Sequence, residues 1–313
     1  GHIELNGRVL FDSEQKIDLP PQKRGVGYLF QNYALFPDMT VRKNILCGAK
    51  GSGSRMEKEE KLRRMLHLFR LEGLEDHKPS QLSGGQQQRT ALARIMISEP
   101  ELLLLDEPFS ALDAHLRDAL KIEVKELLRG YGKTVLMVTH SRDEAYNMSD
   151  RVGVMHDGTL LAVRPVKELF ADPGTVQAAV ITGCKNIANA KWAGPHEALV
   201  PEWGITLQTA QELRRDLTAV GIRAHYFRPG GTQNAFPVVF AGEMEEPFET
   251  IQQFRYVGQA EGSANIWWRL AKEKRPQQFP ATIGIAPVNV LPLYEAQPAD
   301  AAFSNGTESE EGR

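Results

Sequence analysis

Cysteine is nearly absent from this sequence. Cys47 and Cys184 are the only two among 313 residues, far apart and in no CxxC pair. That excludes a disulfide framework and points to a reducing compartment. No apolar run approaches the ~18 residues of a membrane span. The opening residues, GHIELNGR, hold no charged-then-apolar signal peptide. Charge of neither sign dominates: 37 Lys and Arg face 40 Asp and Glu, a formal net charge of −3, so no basic field argues for nucleic acid. The most consequential lack is a motif. Nowhere does the chain read GxxxxGK[ST], the loop that cradles a nucleotide's phosphates. GYGKT at 130–134 does not qualify. The first glycine of such a loop belongs at position 127, which is Leu127. Its context is also helix–loop–strand, whereas a phosphate loop runs strand–loop–helix.

What is present reads as about two domains of ordinary size, with hydrophobic residues at 42%. The chain begins without methionine and already reads as strand and turn at Asn6-Gly7, so it is expected to open inside a domain. GVGYLFQNYALF (25–36) reads as a buried strand running into a loop. GSGSRMEKEEKL starts flexible and becomes an amphipathic helix with Leu62, Met65, Leu66 and Phe69 at helical spacing. LLLLD (102–106) is a short apolar strand ending on a carboxylate, and TVLMVTH (134–140) is a second buried strand. Between them DALKIEVKELLRGYG is a helix ended by Gly130 and Gly132. RVGVMHDGTLLAV (151–163) is a hairpin around Asp157-Gly158. Apolar strands alternating with amphipathic helices predict an α/β fold, a parallel sheet with both faces covered. From about 183 short alternating segments with frequent Gly and Pro predict a separate, mostly β domain. The last residues, 296–313, are polar and acidic and are expected to be disordered.

Four stretches carry chemistry. LLLLDEP delivers Asp106 and Glu107 to the carboxyl end of a buried strand, where parallel α/β sheets bind ligands. Asp106 suits a magnesium contact because Mg²⁺ takes hard oxygen ligands, and Glu107 is placed to polarise a water. An acidic pair alone is more often a solvated helix cap. His140 and Gln31 each end a strand, and each alone is a weak signal. In LSGGQQQR, Ser83 can donate a hydrogen bond, while Gly84 and Gly85 let backbone N–H groups approach an anion at a helix start. By itself that stretch reads equally well as a helix capped by Ser83.

Together, in this order, the stretches resemble the ATP-binding subunits of ABC transporters, specifically bacterial importers. LSGGQQQR looks like their signature motif, LLLLDEP like the Walker B strand with its catalytic glutamate, and SALD (110–113) like the D-loop. Gln31 looks like the Q-loop and His140 like the H-loop. The resemblance covers about 1–182, with a helical subdomain at about 50–98. It implies a P-loop NTPase-type cassette followed by a small, OB-like accessory domain at 183–295. It implies ATP and Mg²⁺ as cofactors, with Glu107, His140 and Gln31 catalytic and Asp106 and Gln31 on the metal. It also implies that Ser83, Gly84, Gly85, Gln86 and Asp113 touch ATP held by a second copy of the chain.

The family's phosphate loop lies upstream of the strand that GHIELNGR matches. The sequence as it stands is therefore expected to be truncated at its start, to bind ATP weakly or not at all and not to turn it over, and to leave a gap and an exposed edge in its sheet. The resemblance further implies docking of transmembrane permease subunits on residues about 31–45. Tyr33, Leu35, Phe36 and Pro37 are apolar for a surface loop, and packing between lobes would serve as well. A solute-binding protein would be an indirect partner, with no nucleic acid, and the chain would sit on the cytoplasmic membrane face. VQAAVITGCKNIANA is similar to the corresponding segment of molybdate-importer subunits, and IRAHYFRP (222–229) to a strand motif of the accessory domain. The expected cargo is thus an oxyanion, molybdate first; Lys185 or Arg228 could serve an anion in the accessory domain, though solvated surface charge is the commoner reading of each. Sulfate, iron, polyamine or sugar importers share the layout. A nontransport ABC ATPase and a noncatalytic regulatory fragment are the readings from other classes.

Overall fold

The computed structural model describes residues 1–49, 54–110 and 114–296. The chain divides into two compact units, Gly1–Glu144 and Ala145–Arg313.

In the first unit β1 (His2–Leu5), β2 (Arg8–Asp12) and β3 (Ile17–Asp18) form an antiparallel sheet. The β1–β2 turn is made by Asn6 and Gly7, with φ of 51° and 77°, the double left-handed geometry that tight hairpins need. Next come β4 (Val26–Leu29) and three helices, α1 (Val41–Gly48), α2 (Arg55–Leu68) and α3 (Gly84–Met96). Then follow β5 (Leu102–Asp106), α4 (Ala114–Tyr131), β6 (Thr134–Val138) and α5 (Arg142–Met148), the last running across the unit boundary. Helix α2 buries Leu62, Leu66 and the following Phe69, with Met65 partly covered. Gly132, with φ of 68°, stops α4, while Gly130 lies inside it.

Strands β4, β5 and β6 make a parallel sheet with β5 in the middle. Leu29, Leu103 and Leu105 are buried on one face. Helix α3 approaches that face so closely that a Cβ on Gly27 would stand 2.3 Å from Ile95 Cγ2. The other face departs from the expected double cover: Tyr28 is 40%, Leu136 57% and Val138 60% exposed. A parallel sheet needs cover on both sides, and among the described residues only one side has it.

The second unit opens with the hairpin β7 (Arg151–His156) and β8 (Thr159–Pro165), turned at Asp157-Gly158. Two short helices follow, α6 (Val166–Ala171) and α7 (Val176–Ile181). Val154, Leu169 and Ala178 form one small core under them, while Ala179 joins Cys184, Ala219, Leu291 and Leu293 in another. The sequence placed the boundary at 182/183, whereas these elements group with the β-rich part that succeeds them in the chain. The linker helices are packing elements, buried on one side, and that is why they join it.

That part continues with β9 (Asn186–Asn189), β10 (Lys191–Gly194), β11 (Glu197–Val200), β12 (Ile205–Gln208), β13 (Ala219–Ile222) and β14 (Arg228–Pro229). The long β15 (Phe236–Glu245) and β16 (Glu249–Tyr256) precede β17 (Ile266–Ala271), β18 (Thr282–Gly284) and β19 (Val290–Leu293). Three sheets result, ordered β10-β11-β12, β19-β13-β9 and β14-β18-β15-β16-β17. Their shared core includes Trp203, Phe227, Phe254 and Trp268. IRAHYFRP is not a strand: β13 ends at Ile222 and the chain turns before β14. Arg223 is drawn aside there to the carbonyls of Thr182 and Phe170.

Candidate active site

The site residues gather at the carboxyl end of the β4-β5-β6 sheet for a reason of register. Leu29 pairs with Leu105, and Leu105 with Met137. Parallel strands in that alignment bring Gln31, Glu107 and Thr139, each two residues further on, to the same level. There the side chains meet. Gln31 Nε2 donates to Glu107 Oε2 at 3.1 Å, and His140 Nδ1 lies 3.0 Å from Glu107 Oε1. Both oxygens of Glu107 are thereby engaged by residues from the two flanking strands' ends.

Glu107 reaches this place through a costly backbone. Its φ is 42°, a left-handed conformation worth about 1–3 kcal/mol for a residue with a side chain. Its N–H donates to Val138 O, and its carbonyl accepts from both Ser110 N and Ser110 Oγ. His140 lies two residues past β6, not in the strand as the sequence suggested. Thr139 Oγ1 donates to the buried Glu144 at 2.6 Å and accepts from Ser141 N, which fixes the backbone on both sides of His140.

Asp106 ends β5 and accepts a hydrogen bond from Tyr28 Oη on Oδ2 at 2.9 Å. That bond, with some burial, pushes the Tyr28 hydroxyl pKa above its ordinary value. Tyr28 was not singled out from the sequence, where it looked like one more apolar strand residue. One carboxylate and one amide are a sparse set, and the described residues hold no group of three or more His, Cys, Asp or Glu able to bind a metal. The Asp106 carboxylate is a hard oxygen donor of the kind Mg²⁺ takes.

Ser83 is exposed and caps α3. Its Oγ accepts from Gln86 N at 3.3 Å, while its N–H donates to Gln86 Oε1 at 2.8 Å, a complete capping box. The helix-cap reading is therefore present, and it is compatible with anion binding. Gly84 and Gly85 occupy the first turn, where N–H groups have no helical acceptor. Gln86 turns its amide oxygen back to its own cap rather than outward. Asp113 lies outside the described residues. Lys133 donates to the carbonyls of Glu99 and Pro100 at 3.2 and 3.1 Å, consistent with a turn residue rather than a phosphate-loop lysine. In the loop after Gln31, Phe36 is 46% exposed but Tyr33 is buried, so Tyr33 drops out of any docking surface. In the second unit Arg228 donates to the carbonyls of His225 and Phe227.

Residues 1–110 match the ABC transporter family. Those residues lie in the first unit, whose fold is mixed α/β. Among curated proteins, the chain is 45% identical over 193 residues to the spermidine/putrescine import ATP-binding protein PotA of Oleidesulfovibrio alaskensis, covering 60% of this chain and 49% of that one. It is 45% identical over 183 residues to the molybdate/tungstate import ATP-binding protein WtpC of Thermococcus kodakarensis, covering 58% and 56%. The chain thus spans about half the length of the curated relatives it matches. The solved structure of cbiO1 from Clostridium perfringens is 26% identical, covers 54% of this chain and 68% of that one, and has a TM-score of 0.48. No helix among the described residues is long and apolar enough to cross a membrane.

Proposed function

We propose that this chain is the ATP-hydrolysing subunit of a membrane importer. The observation that carries the reading is the junction of Gln31, His140 and Glu107, both Glu107 oxygens held, directly beside Asp106. A carboxylate so placed can accept a proton from an attacking water. His140 orients Glu107 and stands next to the reacting phosphate, and Gln31 ties the cluster to the loop that follows it. Asp106, with the Gln31 amide oxygen, would hold Mg²⁺, which when bound neutralises phosphate charge. Ser83 with the amides of Gly84 and Gly85 presents an anion cradle to a second copy of the chain. Permease subunits dock on the loop around Phe36 and Pro37, which puts the protein on the cytoplasmic face of the membrane.

The test is phosphate release at saturating ATP by the protein reconstituted with its permease, comparing wild type with Glu107→Gln. Loss of a positioned base predicts a fall of about 10²–10⁴-fold; equal rates overturn the reading. The 313 residues alone contain no phosphate-loop lysine or glycine loop, so their own affinity for ATP is expected to be weaker than micromolar, by direct calorimetry.

For cargo we favour an oxyanion such as molybdate. The segment around Cys184 and Asn186 resembles molybdate-importer subunits, and one relative carries molybdate or tungstate in its name. A second reading, polyamine import, is favoured by the relatives named for spermidine and putrescine. Uptake of molybdate and of spermidine by a deletion strain, with and without the gene, separates them.

A further inference from the structure

The residues that shape the Gln31 loop come from far along the chain. Tyr33 N donates to Phe30 O at 2.9 Å, closing a turn with Gln31 at its apex. Tyr33 and Ala34 both have left-handed backbones, φ of 59° and 43°. Each costs about 1–2 kcal/mol relative to the right-handed region, so the turn does not hold its shape by local preference. What holds it is Arg94 near the end of α3. Nη2 donates to Tyr33 O at 2.9 Å and Nη1 to Ala34 O at 2.7 Å, in a two-pronged grip that a guanidinium fork provides. The same guanidinium lies over the Phe36 ring, 5.4 Å from its centroid. Among the described residues no carboxylate pairs with Arg94, and burial holds its pKa below the ordinary value. A half-buried cation whose acceptors in this loop are main-chain carbonyls is costly, and its location is therefore informative. The Tyr33 hydroxyl is buried with no hydrogen-bond partner, so the loop has an unmet bond in this arrangement.

We propose that Arg94 is a positioning residue: it fixes the turn that presents Gln31 to Glu107, and so joins the end of the Ser83 helix to the Glu107–His140 pair. Gln31 projects from the gripped turn, and Glu107 receives its amide at 3.1 Å. Ser83 and Arg94 stand at opposite ends of α3, so one rigid element carries both the anion cradle and the loop's anchor. The assignment rests on the ATPase reading for its effect on turnover, but its geometry does not.

Hydrogen–deuterium exchange on the full chain, without nucleotide, tests it with Arg94→Met and Arg94→Lys. In Arg94→Met the amides of Tyr33 and Ala34 are expected to exchange about tenfold faster, and those of Glu107 and Ser110 to speed with them. Residues 249–256 in the second unit should be unchanged and serve as the fold control. Faster exchange at 33–34 with none at 107–110 reduces Arg94 to a local anchor and overturns the proposal, as does no response at either place. Should Arg94→Met lose its cooperative unfolding, Arg94→Lys decides: the same pattern at smaller scale supports the proposal, and wild-type exchange at both places overturns it. In protein reconstituted with its permease, Arg94→Met should lower kcat about tenfold and leave the KM for ATP within about twofold. A wild type that does not hydrolyse ATP sinks the ATPase reading and leaves the exchange result standing. Wild-type kcat in Arg94→Met sinks the assignment of Arg94.

Discussion

The turn at Ser83 and the turn at Gln31 are both short, each with an exposed polar residue, yet they are held in opposite ways. Ser83 closes on Gln86, three residues away, through two hydrogen bonds within one capping box. The loop around Gln31 depends on Arg94, 60 and 61 positions distant, and on Asn44. Asn44 is fully buried on α1; it accepts from Phe36 N and donates to the carbonyls of Phe36, Met39 and Thr40. A locally closed turn forms wherever its helix forms. A remotely held turn changes whenever its supports move.

The comparison is broken most severely by removing the close approach of α1 to α3. A Cβ on Gly48 would stand 1.7 Å from Arg94 O. Gly48→Ala must push two backbones apart and should cost about 3 kcal/mol, seen as a lower denaturation midpoint and faster exchange at 33–34. Asn44→Ala comes next. It takes the amide away from Phe36 N and Met39 O, while the carbonyls of Phe36 and Thr40 keep the backbone donors Met39 N and Asn44 N, for about 2–3 kcal/mol by chemical denaturation. Ser83→Ala removes one cap and should cost about 1 kcal/mol, with faster exchange confined to the first turn of α3 and none at Gln31. Spread to Gln31 would show that the two turns are not independently held. Tyr33→Phe is the smallest change. It deletes a buried hydroxyl that has no partner, so stability should stay within about 1 kcal/mol of wild type, on the stabilising side. A large loss would mean that the hydroxyl is bonded in solution.

The same contrast explains what was legible in the sequence. Asn6-Gly7, Asp157-Gly158 and the Ser83 cap are set by residues within four positions of one another, and their identity states the geometry. That Gln31, Glu107 and His140 would lie near one another was legible because each follows an apolar strand, and parallel strands bring their ends together. Tyr28 was missed because its partner, Asp106, is 78 residues away. Arg94 was missed too, although a charged residue inside the otherwise apolar run TALARIMI was a visible signal. Buried cations need acceptors, and a single sequence does not say where they are. Helices α6 and α7 were hidden for a related reason: they look like a linker until the apolar side of each is seen to be covered.

One contact has a mechanical side. Gly48 meets the carbonyl of Arg94 main chain against main chain. Side chains can swivel to take up slack, whereas peptide groups this close cannot. Helices α1 and α3 are thus seated on each other at Gly48 and Arg94 with no side chain between them, and the same α3 carries Ser83 at its other end.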